Sequence, residues 1–225
     1  MASGPDGVVE AQWKAMPNYL TKSMNAVVMA DVSGSMRTGN GRPMATSIGL
    51  ATYFAQHNTG AYHNMYLTFT SDPSFINIPE GASLYECVKK VASAGVGYST
   101  NLEKAFKAIL ETAVNNKVPA NEMPETLVVI SDMEIDKYMR PGYRWDFLDV
   151  QRARFNAAGY KLPKIVLWNV EARKDTVLSQ SEDVIFISGQ SASSFKALCQ
   201  NLDGVTAYEL MVQVLNSKAY AKVTI

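Results

Sequence analysis

The sequence has few of the residues on which several common classes of site depend. Its 225 residues include only two cysteines and two histidines. Cys87 and Cys199 are far apart and neither belongs to a Cys-x-x-Cys pair, so we expect no zinc site and no dithiol redox motif. Both lie in apolar, helix-like patterns, which predicts reduced core thiols and a reducing compartment.

Excess charge and long apolar runs are also missing. Lysine plus arginine and aspartate plus glutamate each total 21, which argues against nucleic-acid binding by bulk charge alone. No run reaches the roughly 18 apolar residues of a membrane span. The opening MASGPDG lacks the charged and apolar regions of a signal peptide. We therefore expect a cytoplasmic protein with no membrane partner.

The hydrophobic residues that are present predict one sheet covered on both faces. Continuous apolar runs at 26–30, 126–131 and 164–170 are typical of central parallel strands. Further strands are predicted at 65–69, 75–78 and 183–188, and helices at 44–57, 83–94, 101–115, 147–159, 193–201 and 206–220. The alternation predicts an α/β fold, a Rossmann-like, doubly wound, mostly parallel six-stranded sheet with one antiparallel edge strand and helices on both faces.

The first 24 residues are assigned to an N-terminal extension, and residues 25–225 to the main domain. Apolar residues between Val8 and Leu20 recur close to helical spacing. Two interpretations are open. The segment is either a linker helix from an upstream domain or an N-terminal helix packed on the sheet.

A polar loop follows the first strand, where open α/β sheets bind ligands. In Asp31-Val-Ser33-Gly34-Ser35, alternate side chains of an extended turn point the same way, and Gly34 permits a tight bend. Oxygen ligands in octahedral geometry are what Mg²⁺ prefers, so the loop is a candidate metal site. The alternative is that Asp31 and the serines only cap the turn.

Two other loops offer matching side chains. Thr100 precedes a predicted helix, and Asp132 follows the central strand. Asp-x-Ser-x-Ser, then Thr, then Asp, in this order, resembles the metal-ion-dependent adhesion site of the von Willebrand factor A (vWA) superfamily. The resemblance implies that Asp31, Ser33, Ser35, Thr100 and Asp132 hold Mg²⁺, or Mn²⁺ or Ca²⁺, and that a partner's carboxylate completes the coordination.

The resemblance covers roughly residues 25–188. The chain also resembles the C-terminal part of a bacterial, phage and plant family of unknown function. A more distant likeness is to the Ro ribonucleoprotein, in which an A-type domain follows RNA-binding helical repeats. It implies an alternative function, as a component of an RNA-binding particle whose helical region would lie upstream.

Two features depart from the superfamily motif. The third loop usually has Thr-Asp-Gly, but here it is Ser131-Asp132-Met133, followed by Glu134 and Asp136. These two acids are either acceptors behind the metal ligands or a solvated turn. Ser99 directly precedes Thr100, so either hydroxyl could face the metal, and Thr100 is preferred because the motif places Thr directly before the helix.

Catalysis has little support in the sequence. A serine nucleophile needs a base within reach, but His57 and His63 are predicted at the opposite edge of the sheet. A phosphoaspartate mechanism would want a second aspartate at the position of Ser33. The nucleotide motifs GxxxxGK[ST] and GxGxxG are absent. We therefore expect a binding module rather than an enzyme, with a hydrolase as the less favoured alternative.

A segment rich in cations and aromatics follows the third loop. Such residues stack on bases, pair with phosphates and dominate protein interfaces. They equally cover sheet edges, so a structural role, a protein partner and a nucleic acid all remain open. The candidate partner-binding rim beside the metal site comprises Lys137, Tyr138, Arg140, Tyr143, Arg144 and Trp145 of this segment. Arg37 and Arg42, which follow the first loop, could extend it.

Overall fold

A computed structural model describes most of the chain. The described residues are 4–20, 25–70, 72–93, 101–132, 144–171, 176–181, 184–190 and the single positions 195, 199, 212, 215 and 216. For residues 144–146 and 176–181 the backbone alone is described. The helices predicted at 193–201 and 206–220 lie outside the described residues, apart from those single positions.

Helices and strands alternate as predicted. The helices are α1 (Gly7–Lys14), α2 (Thr38–His57), α3 (Leu84–Ser93), α4 (Leu102–Asn115) and α5 (Arg144–Ala157). The strands are β1 (Ala26–Ala30), β2 (Met65–Thr68), β3 (Phe75–Asn77), β4 (Thr126–Ser131), β5 (Lys164–Asn169), β6 (Thr176–Ser181) and β7 (Val184–Ser188).

The strands form one sheet in the order β3-β2-β1-β4-β5-β7-β6. Strands β2, β1, β4, β5 and β7 are parallel, which confirms the doubly wound α/β fold. Among the described residues the sheet has seven strands rather than six, and antiparallel strands lie at both edges rather than one. The additional strand, β6, was missed because four of the six residues in Thr-Val-Leu-Ser-Gln-Ser are polar. The strand propensity of this segment is weak, and it forms a strand because its backbone pairs with β7.

Two apolar layers cover the central strands. Val28 and Ala30 of β1 pack with residues of α2 and α3, whereas Val27 and Met29 pack with residues of α4 and α5. All five side chains of β1 and all six of β4 are buried, as the continuous apolar runs predicted. Both cysteines are free and buried. The sheet is therefore covered on both faces, and its carboxyl edge carries the predicted site.

The N-terminal arm, residues 6–20, makes its hydrogen bonds with α2 and α3. The Glu10 carboxylate accepts hydrogen bonds from the backbone N–H groups of Leu84 and Tyr85, at 3.0 and 2.9 Å. The Trp13 indole donates to Gln56 at 2.9 Å. Helix α1 has no fully buried residue, but Trp13 packs partly buried against the core beside Tyr53.

The second half of the arm is fixed by one tyrosine of α2. The Tyr53 hydroxyl accepts from the backbone N–H of Tyr19 at 2.6 Å and donates to the carbonyl of Pro17 at 3.1 Å. Leu20 is only 6% exposed and belongs to the core layer of α2 and α3. These contacts favour a packed helix over a free linker.

Replacement of Gly60 by alanine should destabilise the fold more than the same change at Gly81. Both glycines have positive φ, +77° and +71°. A Cβ at Gly60 would lie 2.8 Å from Asn25 Nδ2, which is held by the carbonyls of Glu122 and Met123, whereas Gly81 faces open space. We expect a loss of about 1–2 kcal/mol for Gly81→Ala and about 1–3 kcal/mol more for Gly60→Ala. Urea unfolding measures both, and equal losses would contradict the packing argument.

Candidate metal site

The first and third loops meet because β1 and β4 are parallel neighbours in matched register. Ala30 pairs with Ile130, and the backbone N–H of Asp31 continues the ladder by donating to the Ile130 carbonyl at 3.0 Å. Asp31 and Ser131 therefore lie side by side at the carboxyl edge of the sheet. Asp132 follows directly and is half-buried.

The first loop folds around the carboxylate of Asp31. The backbone N–H of Ser33 donates to Asp31 Oδ1 at 2.8 Å, closing a tight turn. The hydroxyls of Ser33 and Ser35 lie 3.0 Å apart and form a hydrogen bond. Met36, which is fully buried, anchors the loop in the core. The three side chains converge as expected, but through a tight turn with Gly34 in the right-handed helical region rather than through an extended turn.

The prediction that Gly34 permits the bend was wrong. Gly34 has φ −61° and ψ −36°, which any residue adopts, and a Cβ there would meet no heavy atom within 4 Å. The left-handed backbone comes later, at Gly39, Asn40 and Gly41, with φ of 53°, 61° and 77°. These residues turn the chain into the regular part of α2, so their conformation sets how the loop leaves the site.

Ser131 joins the two loops and was not among the predicted site residues. Its hydroxyl lies 2.7 Å from Asp31 Oδ2, to which it donates, and 3.4 Å from Asp132 Oδ1. Its side chain is completely buried. The signal that could have identified Ser131 is its position, because it ends a buried strand directly beside the strand that precedes Asp31.

Burial dominates the electrostatics of the site. Asp31 is only 2% exposed, and the loss of hydration raises the pKa of its carboxyl group above the usual value. The hydrogen bonds from Ser33 and Ser131 oppose this rise, while the nearby charge of Asp132 adds to it. A carboxylate that is buried beside a second carboxylate gains most from a cation placed between them.

The donor set fits a hard divalent cation. All of its ligand atoms are oxygens, from Asp31, Ser33, Ser35 and Asp132. Neighbouring ligands of an octahedral Mg²⁺ lie about 2.9 Å apart when metal–oxygen bonds are ~2.0–2.1 Å, and the hydroxyls of Ser33 and Ser35 lie 3.0 Å apart. The described residues contain no group of three or more His, Cys, Asp or Glu that could hold a metal. Any metal centre among them would therefore rely on hydroxyls beside two carboxylates.

The structure describes only some of the remaining predicted site residues. Arg37 and Arg42 are exposed, and no salt bridge of the described residues involves either. Arg144 and Trp145 lie in the first turn of α5, where the backbone alone is described. The predicted residues outside the described ranges are Ser99, Thr100, Glu134, Asp136, Lys137, Tyr138, Arg140 and Tyr143.

Both histidines lie at the edge of the sheet opposite the candidate site. His57 ends α2, and His63 precedes β2, where that parallel strand begins. Their Nδ1 atoms lie 2.8 Å from backbone carbonyls, those of Tyr53 and Asn58 respectively. Neither imidazole can reach Ser33 or Ser35 as a base. The absence of catalysis stays a prediction.

Comparison with known proteins places the chain in a family. The model of a family described as a domain of unknown function, DUF7788, matches residues 25–221. The chain belongs to this family. The DUF7788 chain is also similar to uncharacterized protein L728 of Acanthamoeba polyphaga mimivirus, at 32% identity over 216 residues. That similarity covers 93% of this chain but only 37% of the viral protein.

One solved structure similar to the DUF7788 chain confirms its fold. The crystal structure of the Deinococcus radiodurans Ro (RSR) protein matches with a TM-score of 0.53 at 15% identity, covering 85% of this chain and 36% of that one. Proximal thread matrix protein 1 from the mussel byssus matches at 0.49 and 10% identity, covering 80% and 47%. The Ro likeness supports the vWA-like fold implied by the sequence motif. None of the described helices of the DUF7788 chain is long and apolar enough to cross a membrane.

Proposed function

We propose that this DUF7788 domain is a metal-dependent binding module that recruits a carboxylate from a protein partner or from another domain of its own chain. The observation that carries the proposal is the junction of two loops at the carboxyl edge of the sheet. There the buried Asp31 lies with Ser33, Ser35 and Ser131 in one hydrogen-bonded cluster, and Asp132 adjoins it.

The residues that would hold Mg²⁺ are Asp31, Ser33, Ser35 and Asp132, with Thr100 as a predicted fifth ligand. Two carboxylates neutralise a divalent ion, and the serine hydroxyls add no charge, so a bound ion would remain electrophilic toward a further anionic ligand. Mn²⁺ or Ca²⁺ could take the same place. The chain's own part is to hold four oxygen ligands close together at an edge that a partner can approach.

The charges around the site suit an acidic partner. Arg37 and Arg42 are exposed and lie in the chain between Ser35 and the regular part of α2. Because no salt bridge of the described residues involves them, both guanidinium groups are available to carboxylates next to the one at the metal. A partner segment with neighbouring Asp or Glu residues therefore fits this edge.

Manganese offers a direct test of whether a bound metal ion takes a carboxylate as a further ligand. Bound Mn²⁺ with exchangeable waters accelerates the relaxation of water protons, and a ligand that displaces those waters reduces the effect. We expect the domain with Mn²⁺ to lose relaxation enhancement on addition of glutarate. Glutaramide, a neutral molecule of similar shape, should leave it unchanged. Equal responses to both compounds, or no Mn²⁺ binding at all, would refute the proposal.

The two alternative functions, a component of an RNA-binding particle and a hydrolase, have less support. Among the candidate RNA-contacting residues, only Arg37 and Arg42 have described side chains, and both serve a carboxylate partner equally well. The likeness to the Ro protein is one of fold and does not extend to a ligand. A hydrolase would need a base at the site, and both histidines lie at the opposite edge. Assays with generic phosphatase and esterase substrates would test the hydrolase directly.

A further inference from the structure

The carboxylate of Asp31 is held at both of its oxygens by two different loops. Oδ1 accepts from the backbone N–H of Ser33 at 2.8 Å, and Oδ2 accepts from the Ser131 hydroxyl at 2.7 Å. The Ser131 donor lies 100 positions away in sequence and is completely buried at the end of β4. The orientation of the Asp31 carboxylate is thus set by the sheet as well as by its own loop.

This orientation limits what Asp31 can offer a cation. A carboxylate that chelates an ion through both oxygens must turn both of them toward it. Oδ2 is instead directed at a hydroxyl on the buried end of the neighbouring strand. Removing that hydroxyl would free Oδ2 to turn toward the loop and would leave it buried without the bond to Ser131. Ser131 therefore restricts Asp31 to coordination through a single oxygen.

The two common divalent cations differ in their demand for such chelation. Ca²⁺ takes about 6–8 oxygens at ~2.3–2.6 Å and readily uses carboxylates in bidentate fashion. Mg²⁺ takes six at ~2.0–2.1 Å in near-ideal octahedral geometry. One-oxygen coordination by Asp31, together with the 3.0 Å spacing of the Ser33 and Ser35 hydroxyls, suits the smaller ion.

We propose that Ser131 is a positioning residue that determines metal specificity, making the site select Mg²⁺ over Ca²⁺. The inference rests on the proposed metal site and adds the identity of the ion and the group that selects it. Ser131 acts through Asp31, without itself serving as a ligand. A purely structural hydrogen bond would, when removed, weaken the binding of both ions alike. Removal of the Ser131 hydroxyl is instead expected to change the ratio of the Mg²⁺ and Ca²⁺ affinities.

The test is calorimetric titration of the purified protein with MgCl₂ and with CaCl₂. Wild type should bind Mg²⁺ more tightly. Replacing a group that orients a metal ligand typically lowers affinity about 10–100-fold, so Ser131→Ala should lose that much for Mg²⁺. The affinity of Ser131→Ala for Ca²⁺ should be kept or raised. The ratio of its Mg²⁺ affinity to its Ca²⁺ affinity should therefore fall at least about tenfold. Ser131→Thr retains the hydroxyl and should keep the wild-type ratio.

The outcomes separate this inference from the function on which it rests. If wild type binds neither ion, the proposed metal site itself is refuted. If wild type binds Mg²⁺ but Ser131→Ala weakens both ions equally or changes neither, the site stands and the role of Ser131 is overturned. Tighter binding of Ca²⁺ by wild type would also overturn it. Should Ser131→Ala fail to fold, Ser131→Cys, close in shape but a weak donor, is expected to show the same fall in ratio.

Discussion

Replacing Asp31 with alanine should abolish the stabilisation of the domain by Mg²⁺. A ligand that binds only the folded state stabilises it by about 2.7 kcal/mol at 100 times its dissociation constant. Asp31 is the most buried charged ligand of the candidate site, and Ser33 and Ser131 both orient it, so its loss removes the centre of the cluster. Thermal unfolding with MgCl₂ and with EDTA measures the difference, which should vanish in the variant.

Asp72→Ala is the matched control for this experiment. Asp72 also follows a parallel strand at the carboxyl edge of the sheet, but it is exposed and pairs with Lys104 at 3.1 Å. Its removal should leave the Mg²⁺ effect intact. If Asp31→Ala kept the full Mg²⁺ shift, or if Asp72→Ala lost it, the ion would bind elsewhere and the proposed site would be wrong. Asp31→Asn, of nearly the same shape, separates loss of charge from loss of volume.

Deletion of residues 1–20 should destabilise the domain even though the family match begins at residue 25. The deletion removes the buried Leu20, the Glu10 bonds to α3 and the contacts of Pro17 and Tyr19 with Tyr53. Burial of one leucine and a few hydrogen bonds together contribute about 3–5 kcal/mol. With ~2–4 °C per kcal/mol for a chain of this size, the unfolding temperature should fall by roughly 10 °C.

Two substitutions on the outer side of α1 provide the control for the deletion. Val8 and Val9 are 68% and 45% exposed, so Val8→Ser and Val9→Ser should change stability by less than about 0.5 kcal/mol. An unchanged unfolding temperature after the deletion would show that the arm contributes nothing to folding. It would also restore the interpretation of residues 1–24 as a linker.

The parts of the fold that followed from the sequence are those that a local pattern encodes. The continuous apolar runs of β1, β4 and β5 report burial on both faces, and each was located correctly. Helix α2 was expected from residue 44, close to where its regular part begins, and the left-handed turn at residues 39–41 that precedes this part has no periodic signature. Strand β6 was missed for a similar reason, since its pairing with β7 is visible only once the sheet is assembled.

The candidate site also contains residues that a local sequence pattern identifies and one residue that such a pattern does not identify. Asp31, Ser33 and Ser35 could be identified because they alternate within one short loop. Ser131 was not singled out, because its position at the end of a buried strand gains importance only through the register that places it beside Asp31, and register is a property of two strands 100 residues apart. Sequence patterns thus named candidate ligands, while the group that orients one of them became apparent from tertiary structure.

The contact between Glu10 and α3 has a mechanical consequence. The arm meets α3 at its first turn, at the edge of the sheet where the histidines also lie. Tension applied to the arm would load the axis of this ten-residue helix before it reached any strand. Such a helix is about 15 Å long, roughly half the diameter of a small domain, so a pull on the arm would act first on the helical layer of one face and not on the hydrogen bonds between strands.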